Sequence, residues 1–523
     1  MTGLHPSAIA QASPNREALV FGAQRWTYAQ LDDFSANVAA LLAQDGLANG
    51  EVVALLVANR PEFLGAAWAA QRSGLYYLPL STRLTAPEIR YILADSGAKA
   101  LIVDSEYEDL AKKAISGLPL KVYGLGSEIG FEPLESAFSD YPAPPAIEGG
   151  DMLYTSGTTG KPKGVRRALT GEALGSDARR VARGEKLFGF SPDTRFLSPA
   201  PLYHAAPLRF SMNLLRVGAC VIGMPRFDAA GTLNLIESER ITHSQWVPTM
   251  FARLLALETT EQSQYELSSL EVAIHAGAPC PEHIKRQMID WWGPVLHEYY
   301  SGTESVGFTH ITSNEWLERP GSVGRPYGCK IHIVDDGGLE QPTGQDGLVY
   351  FEGKGGLTYH NDAAKTAAAH DARGWATMGD IGHLDADGYL YLTDRKHFTI
   401  ITGGVNIYPS EIEAALMDDD AVGDCAVFGV PDAEMGEAVA AIIESDRAGD
   451  AYDEALALSI IERLDGKLAR TKCPRFILFQ SVDRTETGKL KKQDLREGFL
   501  REAHPLDMRA LRKAAQLENT RAR

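Results

Sequence analysis

The segment Tyr154-Thr155-Ser156-Gly157-Thr158-Thr159-Gly160-Lys161-Pro162-Lys163-Gly164-Val165 sets four Ser/Thr hydroxyls, three glycines and two lysines in twelve residues. Glycine lets backbone N–H groups turn toward a ligand in conformations other residues avoid, and successive N–H groups in such a turn form a concave anion site. Hydroxyl donors and ammonium charge complete a set suited to polyphosphate. Met152, Leu153 and Tyr154 run straight into the loop as a buried strand would, which argues against a plain linker of small residues. Spacing disfavours a Walker A loop. That motif needs a glycine five residues before Gly-Lys and Ser or Thr after the lysine, whereas Thr155 and Pro162 stand there.

Further segments carry chemistry. Pro201-Leu202-Tyr203-His204 ends in an imidazole, and His275-Ala276-Gly277-Ala278-Pro279 offers small residues where a flat ring could lie on backbone. Glu298-Tyr299-Tyr300-Ser301-Gly302-Thr303-Glu304 joins aromatic rings to a hydroxyl and a carboxylate. A carboxylate with phosphate oxygens is the usual environment of Mg²⁺. Trp375-Ala376-Thr377-Met378-Gly379-Asp380 ends in a carboxylate able to accept from two ribose hydroxyls. Asp394-Arg395 opens a long stretch through Gly403-Gly404 to Glu413, and Arg484-Thr485-Glu486-Thr487-Gly488-Lys489-Leu490 ends the series.

In this order, across nearly the whole chain, these segments resemble the motifs of the AMP-forming adenylating enzymes. That superfamily (the ANL superfamily) holds acyl- and aryl-CoA synthetases, luciferases and peptide-synthetase adenylation domains. The resemblance implies that Thr155, Ser156, Gly157, Thr158, Thr159, Gly160 and Lys163 hold the β- and γ-phosphates. It places Gly277, Ala278 and Pro279, with Glu298, Tyr299 and Tyr300, around the nucleotide, and Asp380 and Arg395 on the ribose. Lys489, Thr303, Glu304 and His204 form the implied catalytic set: Lys489 as adenylation lysine, Thr303 on the α-phosphate, Glu304 on Mg²⁺, His204 beside the acyl pocket. Gly403 and Gly404 line the route of the CoA thiol. Met435 matches a residue that stacks on the CoA adenine in some aryl-CoA ligases, with Lys472 and Arg475 as candidate cations for the CoA phosphates. Two departures stand out. The glycine of the Tyr-Gly-x-Thr-Glu pattern comes one place late, at Gly302, and His397 and Phe398 occupy a hinge where Asp or Lys, then an acidic residue, is common.

The implied reaction has two steps. A carboxylate attacks the α-phosphorus of ATP, giving acyl-AMP and pyrophosphate; the CoA thiol then attacks the acyl carbon and releases AMP. The implied acyl pocket draws on His204, Ala205, Ala206, Phe210, Trp246, Val247, Ala276, Gly277, Gly302, Val306 and Phe308, with Arg209 the one cation able to sit at its end. Mostly apolar and with many small members, it suits a bulky apolar acid: aryl, arylpropenoic or medium-to-long-chain. Loading of a separate carrier protein, a non-catalytic nucleotide-binding regulator and luciferase-like oxygenation stay open as alternatives.

Composition is compatible. The chain has 523 residues, 44% hydrophobic and 23% charged, with a net charge of −18. Such a chain does not bind nucleic acid non-specifically. Its five cysteines are far apart, with no C-x-x-C pair, so neither zinc nor a disulfide framework is indicated. No signal peptide or apolar stretch of about 20 residues is evident. The expectation is a cytosolic enzyme without a transmembrane segment, whose partners are the acid, ATP and CoA; a homodimer is left open.

The elements that must position these residues are legible in outline. Residues 1–25 read as an irregular lead-in. Thr27 and Gln30 form a capping box before a helix with Leu31, Phe34, Val38, Leu41 and Leu42 on one face, ending at Gly46. Apolar runs at 52–57, 75–80 and 100–103 alternate with helices from Pro61 and Thr85, which predicts a parallel sheet covered on both faces. A helix over 171–188 and strands at 196–198, 220–223, 243–247 and 272–275 continue the alternation. The reading is α/β: a large layered N-terminal adenylating domain (1–396), a small mobile α/β C-terminal domain (397–500) and a charged helical tail (501–523).

Overall fold

The computed structural model describes residues 4–521 except 127–129, 139–140, 143, 156–161, 177, 354–357, 396–397, 403–404, 433–434, 449–451, 465–466, 486–487, 489 and 502–504. Ser156, Gly157, Thr158, Thr159, Gly160, His397, Gly403, Gly404 and Lys489 therefore lie outside the described residues, as do the side chains of Thr155 and Arg395. The chain divides into two compact units. The first comprises Met1–Ala276, Glu282–Glu318 and Gly353–Ala376, and the second Gly277–Pro281, Arg319–Glu352 and Thr377–Arg523.

The first unit begins α1 (Pro6–Ala12), β1 (Glu17–Phe21), β2 (Gln24–Thr27), α2 (Tyr28–Gln44), β3 (Val52–Leu56), α3 (Pro61–Gln71), β4 (Tyr76–Pro79), α4 (Ala86–Ser96), β5 (Ala100–Asp104), α5 (Glu108–Ile115), β6 (Lys121–Leu125), β7 (Glu132–Pro133), β8 (Gly150–Thr155) and β9 (Lys163–Arg166). It continues α6 (Ala178–Phe188), β10 (Arg195–Ser198), α7 (Ala205–Val217), β11 (Cys220–Gly223), α8 (Ala229–Ser238), β12 (His243–Trp246), α9 (Pro248–Leu255), α10 (Thr259–Gln262), β13 (Val272–His275), α11 (Glu282–Trp292), β14 (Leu296–Tyr300), β15 (Thr309–Thr312) and α12 (Ser313–Glu318), with α13 (Ala363–Ala368) later in the chain.

One sheet runs β7-β6-β5-β3-β4-β8-β9, parallel from β6 through β8 and closed by the antiparallel β9. Every residue of β3, β4 and β5 is buried, as expected of parallel strands covered on both faces. The other runs β15-β14-β13-β12-β10-β11-β1-β2 within this unit. All of α3 is buried, because it packs on strands of both sheets, β3 and β4 in one and β1 in the other. The capping box at Thr27 and Gln30 forms, with Thr27 N donating to Gln30 Oε1 at 2.8 Å.

Two expectations change. Residues 1–25 are not an irregular lead-in: Ala18, Leu19, Val20 and Phe21 are buried in β1, which pairs in parallel with β11. The arginine-rich helix starts at Ala178 rather than near 171, because Gly171 and Gly175 adopt φ of 71° and 90°, a left-handed backbone that a helix excludes.

The second unit holds β16 (Ser322–Pro326), β17 (Lys330–Val334), β18 (Gly347–Glu352), β19 (Ala376–Leu384) and β20 (Leu390–Arg395), in the order β17-β18-β19-β20-β16. Then come β21 (Ile400–Thr402), β22 (Val405–Ile407), α14 (Pro409–Met417), β23 (Asp424–Asp432), β24 (Gly436–Glu444), α15 (Glu454–Leu464), β25 (Phe476–Phe479), α16 (Lys492–Arg501), β26 (Leu506–Asp507) and α17 (Met508–Arg521). These strands form β22-β21-β24-β25-β26, with β23 on β24. Alternation along β23 sends Val427 into one apolar cluster and Ala426 and Phe428 into another. The charged tail is anchored: β26 pairs with β25, Leu506 and Met508 are buried, and α17 packs on α15.

Candidate active site

β8 and β9 flank the phosphate-loop segment, with Thr155 opposite Lys163. The Lys163 ammonium lies 2.7 Å from Asp362 Oδ2. Asp362 caps α13 by accepting from Lys365 N at 2.9 Å. The segment before that helix is strung along β9, through a bridge between Val165 and Tyr359 and a 2.8 Å bond from His360 N to Gly164 O. This brings the Tyr359 hydroxyl to Glu304, where it donates to Oε1 at 3.0 Å, and sets Lys365 Nζ 4.1 Å over the Tyr359 ring. Two ammoniums and two carboxylates thus share one neighbourhood. The hydrogen bond from Lys163 holds the Asp362 carboxyl below its usual range. Burial and then Lys163 lower the Lys365 pKa, opposed by Glu304 and Asp362. A polyanion arriving here competes with carboxylates for ammoniums already in place.

Glu304 lies in a tight turn in which Ser305 N donates to Gly302 O at 3.0 Å. The late glycine is accommodated because the left-handed residue is Ser305, at φ 53°. Among the described residues, no group of three or more His, Cys, Asp or Glu could hold a metal. Glu304 would hold a divalent cation together with oxygens of a bound phosphate, a donor set that fits Mg²⁺.

His204 is the N-cap residue of α7, and its ring lies 4.6 Å from that of Tyr203. The loop before it is pinned by Asn59, which accepts from Leu202 N at 2.8 Å and donates to Ala200 O at 3.1 Å. Nearly two helical turns on, Phe210 meets Tyr299 at 5.6 Å, and Tyr299 stacks on Phe308 at 5.1 Å. Burial pushes the Tyr299 phenol up to about 12.

Behind this aromatic floor, His297 Nδ1 and His310 Nε2 are 2.9 Å apart. Burial, and for His297 then the charge of His310, lowers both from 6.5 to about 4. Both rings are neutral when folded. The unfolded chain takes up protons near 6.5 and the folded chain only near 4, so acid favours unfolding across that window. The thermal midpoint should fall between about pH 6.5 and 4, and His310→Asn should flatten that slope.

Several expected residues lie elsewhere. Strand alternation puts Glu298 and Trp246 on the opposite face from Tyr299 and Phe210. Glu298 Oε2 is 2.5 Å from Lys285 Nζ, deep against α11, so its carboxylate is committed to a buried ion pair rather than to a nucleotide. Trp246 packs on Trp292 and Phe251 and donates to Ser244 Oγ at 2.7 Å, away from the expected pocket. Arg209, the candidate cation for the pocket end, is bonded to Asp151 at 2.6 Å instead.

In the second unit, Asp380 is buried in β19 opposite Arg395. Gly277 has φ 94°, a conformation natural to glycine. Met435 N donates to Asp432 Oδ1 at 2.8 Å. Lys472 reaches both oxygens of Glu411 at 2.7 Å, and Arg475 pairs with Asp432, so each cation, like Lys163, has a carboxylate partner from which a phosphate would have to draw it. Arg484 chelates Asp424 at 2.6 and 2.7 Å and donates to Gly488 O at 2.9 Å. Sequence reasoning passed over Asn59, Tyr359, Asp362 and Lys365.

Residues 7–358 match the family model described as AMP-binding enzyme. The chain belongs to the AMP-binding enzyme family. Residues 411–489 match the AMP-binding enzyme C-terminal domain. The chain is 33% identical over 509 residues to a long-chain-fatty-acid–CoA ligase of Mycobacterium tuberculosis, covering 94% of this chain and 97% of that one. It is 32% identical over 502 residues to an indoleacetate–CoA ligase of Aromatoleum aromaticum, covering 93% and 96%. Among solved structures, o-succinylbenzoate CoA synthetase of Bacillus subtilis with its acyl-adenylate intermediate superposes with a TM-score of 0.82 at 26% identity, covering 97% of this chain and 99% of that one. This AMP-binding enzyme is accordingly an AMP-forming acyl-CoA synthetase of the ANL superfamily, with a large N-terminal and a smaller C-terminal α/β domain. It uses ATP and CoA, with Mg²⁺ as the associated ion. Among the described residues, no helix is long and apolar enough to cross a membrane.

Proposed function

We propose that this acyl-CoA synthetase activates a carboxylic acid with a bulky, uncharged body: an aryl or arylpropenoic acid, or a medium-to-long-chain acid. The observation that carries this reading is the floor of Phe210, Tyr299 and Phe308 beside α7, next to an Arg209 whose charge Asp151 already balances. A second acidic group on the substrate would find no counter-charge in Arg209. The names of the fatty-acid and indoleacetate ligases support the same class.

Carboxylate and triphosphate repel each other, so the site's task is to cancel charge and fix geometry. Lys163 leaves Asp362 for the β- and γ-phosphates, joined by N–H groups of the loop at 155–160. Thr303 meets the α-phosphate and Lys489 spans the substrate carboxylate and that phosphate. The carboxylate oxygen bonds to phosphorus as the bond to pyrophosphate breaks. Mg²⁺, held in part by Glu304, would offset charge on the leaving pyrophosphate. Asp380 and Arg395 hold the ribose, and Gly277, Ala278, Pro279 and Tyr300 border the base. In the second half-reaction the CoA sulfur loses its proton and bonds to the acyl carbon, and AMP departs. The thiol passes Gly403 and Gly404, and Met435 covers the CoA adenine. We take the functional boundary to lie at residues 396–397, with the small domain turning between half-reactions, in a cytosolic enzyme that also admits a homodimeric form.

A panel of carboxylic acids with ATP, Mg²⁺ and either CoA or a carrier protein tests this reading, with AMP and thioester as readouts. Preference for short or dicarboxylic acids would overturn it. Pocket size is tested at Ala206 in the first turn of α7, since a side chain at Gly277 would also strain a left-handed backbone. Ala206→Leu should shift preference toward shorter acids by about 10-fold in relative kcat/KM, with the KM for ATP unchanged; overfilling a packed site costs roughly 1–3 kcal/mol.

A further inference from the structure

Arg209 stands on α7, five residues after His204, and joins three stretches far apart in sequence. Nε and Nη2 donate to Asp151 Oδ2 at 3.0 and 2.6 Å. Asp151 lies in β8, the strand that delivers the phosphate loop. Nη1 donates to Thr303 O at 3.1 Å and to Ser305 Oγ at 2.9 Å. Arg167 Nη2 donates to Ser305 O at 3.0 Å.

Glu304 sits between these two anchored residues. Ser305 has φ 53°, a sparsely populated conformation for a serine that persists only where its surroundings fix it. The guanidinium is a rigid planar fork: its Nε–Nη2 edge takes the carboxylate, and Nη1 takes the turn. One plane therefore sets the angle between the strand before the phosphate loop and the turn bearing Thr303 and Glu304. Burial works against the charge of Arg209, but Asp151 more than offsets it and the pKa is raised.

We infer that Arg209, clamped by Asp151, is a positioning residue that aims Thr303 and Glu304 at the polyphosphate. This rests on the proposed roles of Thr303 and Glu304. Arg209 touches no reacting atom; it acts through the backbone of the turn. A lysine supplies the charge without the fork, so Arg209→Lys separates geometry from charge.

The test uses the full-length enzyme and four variants: Arg209→Lys, Asp151→Asn, Ser305→Ala and Glu304→Gln. The readouts are pyrophosphate release against Mg²⁺ concentration, thioester formation from supplied acyl-AMP, and Mn²⁺ binding with a non-hydrolysable ATP analogue, followed by electron paramagnetic resonance. Arg209→Lys should lower the adenylation kcat roughly 10- to 100-fold, since misplacement by about 1 Å can cost 100-fold. It should raise the Mg²⁺ requirement several-fold, weaken Mn²⁺ binding in parallel and leave the thioester step within about twofold. Ser305→Ala should move the same readouts in the same direction by less, and it carries the test if Arg209→Lys or Asp151→Asn does not fold. Wild-type Mg²⁺ and Mn²⁺ behaviour in the folded Arg209 and Ser305 variants, with Glu304→Gln impaired, overturns the inference alone. Equal loss of both half-reactions with an unchanged metal requirement overturns it in favour of a stabilising ion pair. A Glu304→Gln enzyme with unaltered metal dependence overturns the reading of Glu304 beneath it.

Discussion

Replacing Lys489 by alanine is expected to lower pyrophosphate release about 100- to 1000-fold, the cost of removing one preorganised donor from a developing charge. Thioester formation from supplied acyl-AMP should stay within about twofold of the parent enzyme. The asymmetry follows from where the lysine acts. Its ammonium is useful while a carboxylate and an α-phosphate are being forced together, and that charge is gone once the mixed anhydride exists. On the described side of the turn, Arg484 bonds to Asp424 and to Gly488 O. Measuring the two half-reactions separately decides the matter. A parallel fall in both would move the adenylation lysine elsewhere.

The second large effect concerns stability. Lys285 is 0% exposed, with Nζ 2.5 Å from Glu298 Oε2 and 4.7 Å from the centre of the Trp316 ring. Removing one member of a buried pair strands the other, at about 3–5 kcal/mol. Lys285→Met should therefore lower the thermal midpoint of the large domain by about 10 °C at pH 8. His275 lies 3.7 Å from the same carboxylate and its ring is held neutral by burial and then by the charge of Lys285. Adding Glu298→Gln should recover much of the loss at pH 8. A midpoint within 2 °C of the parent would show that the pair carries no such penalty.

The readable parts of the chain were those where neighbouring residues suffice. The reciprocal cap at Thr27 and Gln30 announced α2, and the apolar run into Thr155 announced β8. β1 was missed although its hairpin partner β2 follows within three residues: the apolar run is only four residues long, and β11, the parallel neighbour that buries it in the sheet, lies some 200 residues away. The link from Lys163 through Asp362 and Lys365 to Glu304 was missed for a similar reason. Tyr359, Asp362 and Lys365 are unremarkable polar residues until Tyr359 is set against Val165. The errors at Glu298 and Trp246 were avoidable, since a period of two along β14 and β12 assigns both to the far face. The carboxylate partners of Lys472 and Arg475, Glu411 and Asp432, escaped notice because they precede them by 61 and 43 positions.

The seam between β25 and β26 bears on how this synthetase can be trimmed. Residues past 501 look dispensable by composition, yet Leu506 and Asp507 cover the flank of Phe476-Ile477-Leu478-Phe479. Cutting them away leaves an uncharged aromatic and aliphatic strand with an unpaired hydrogen-bonding edge, a template for strand addition between molecules. Shortened forms built for crystallisation or display would trade a quiet terminus for a sticky one, so fusion joints belong beyond α17.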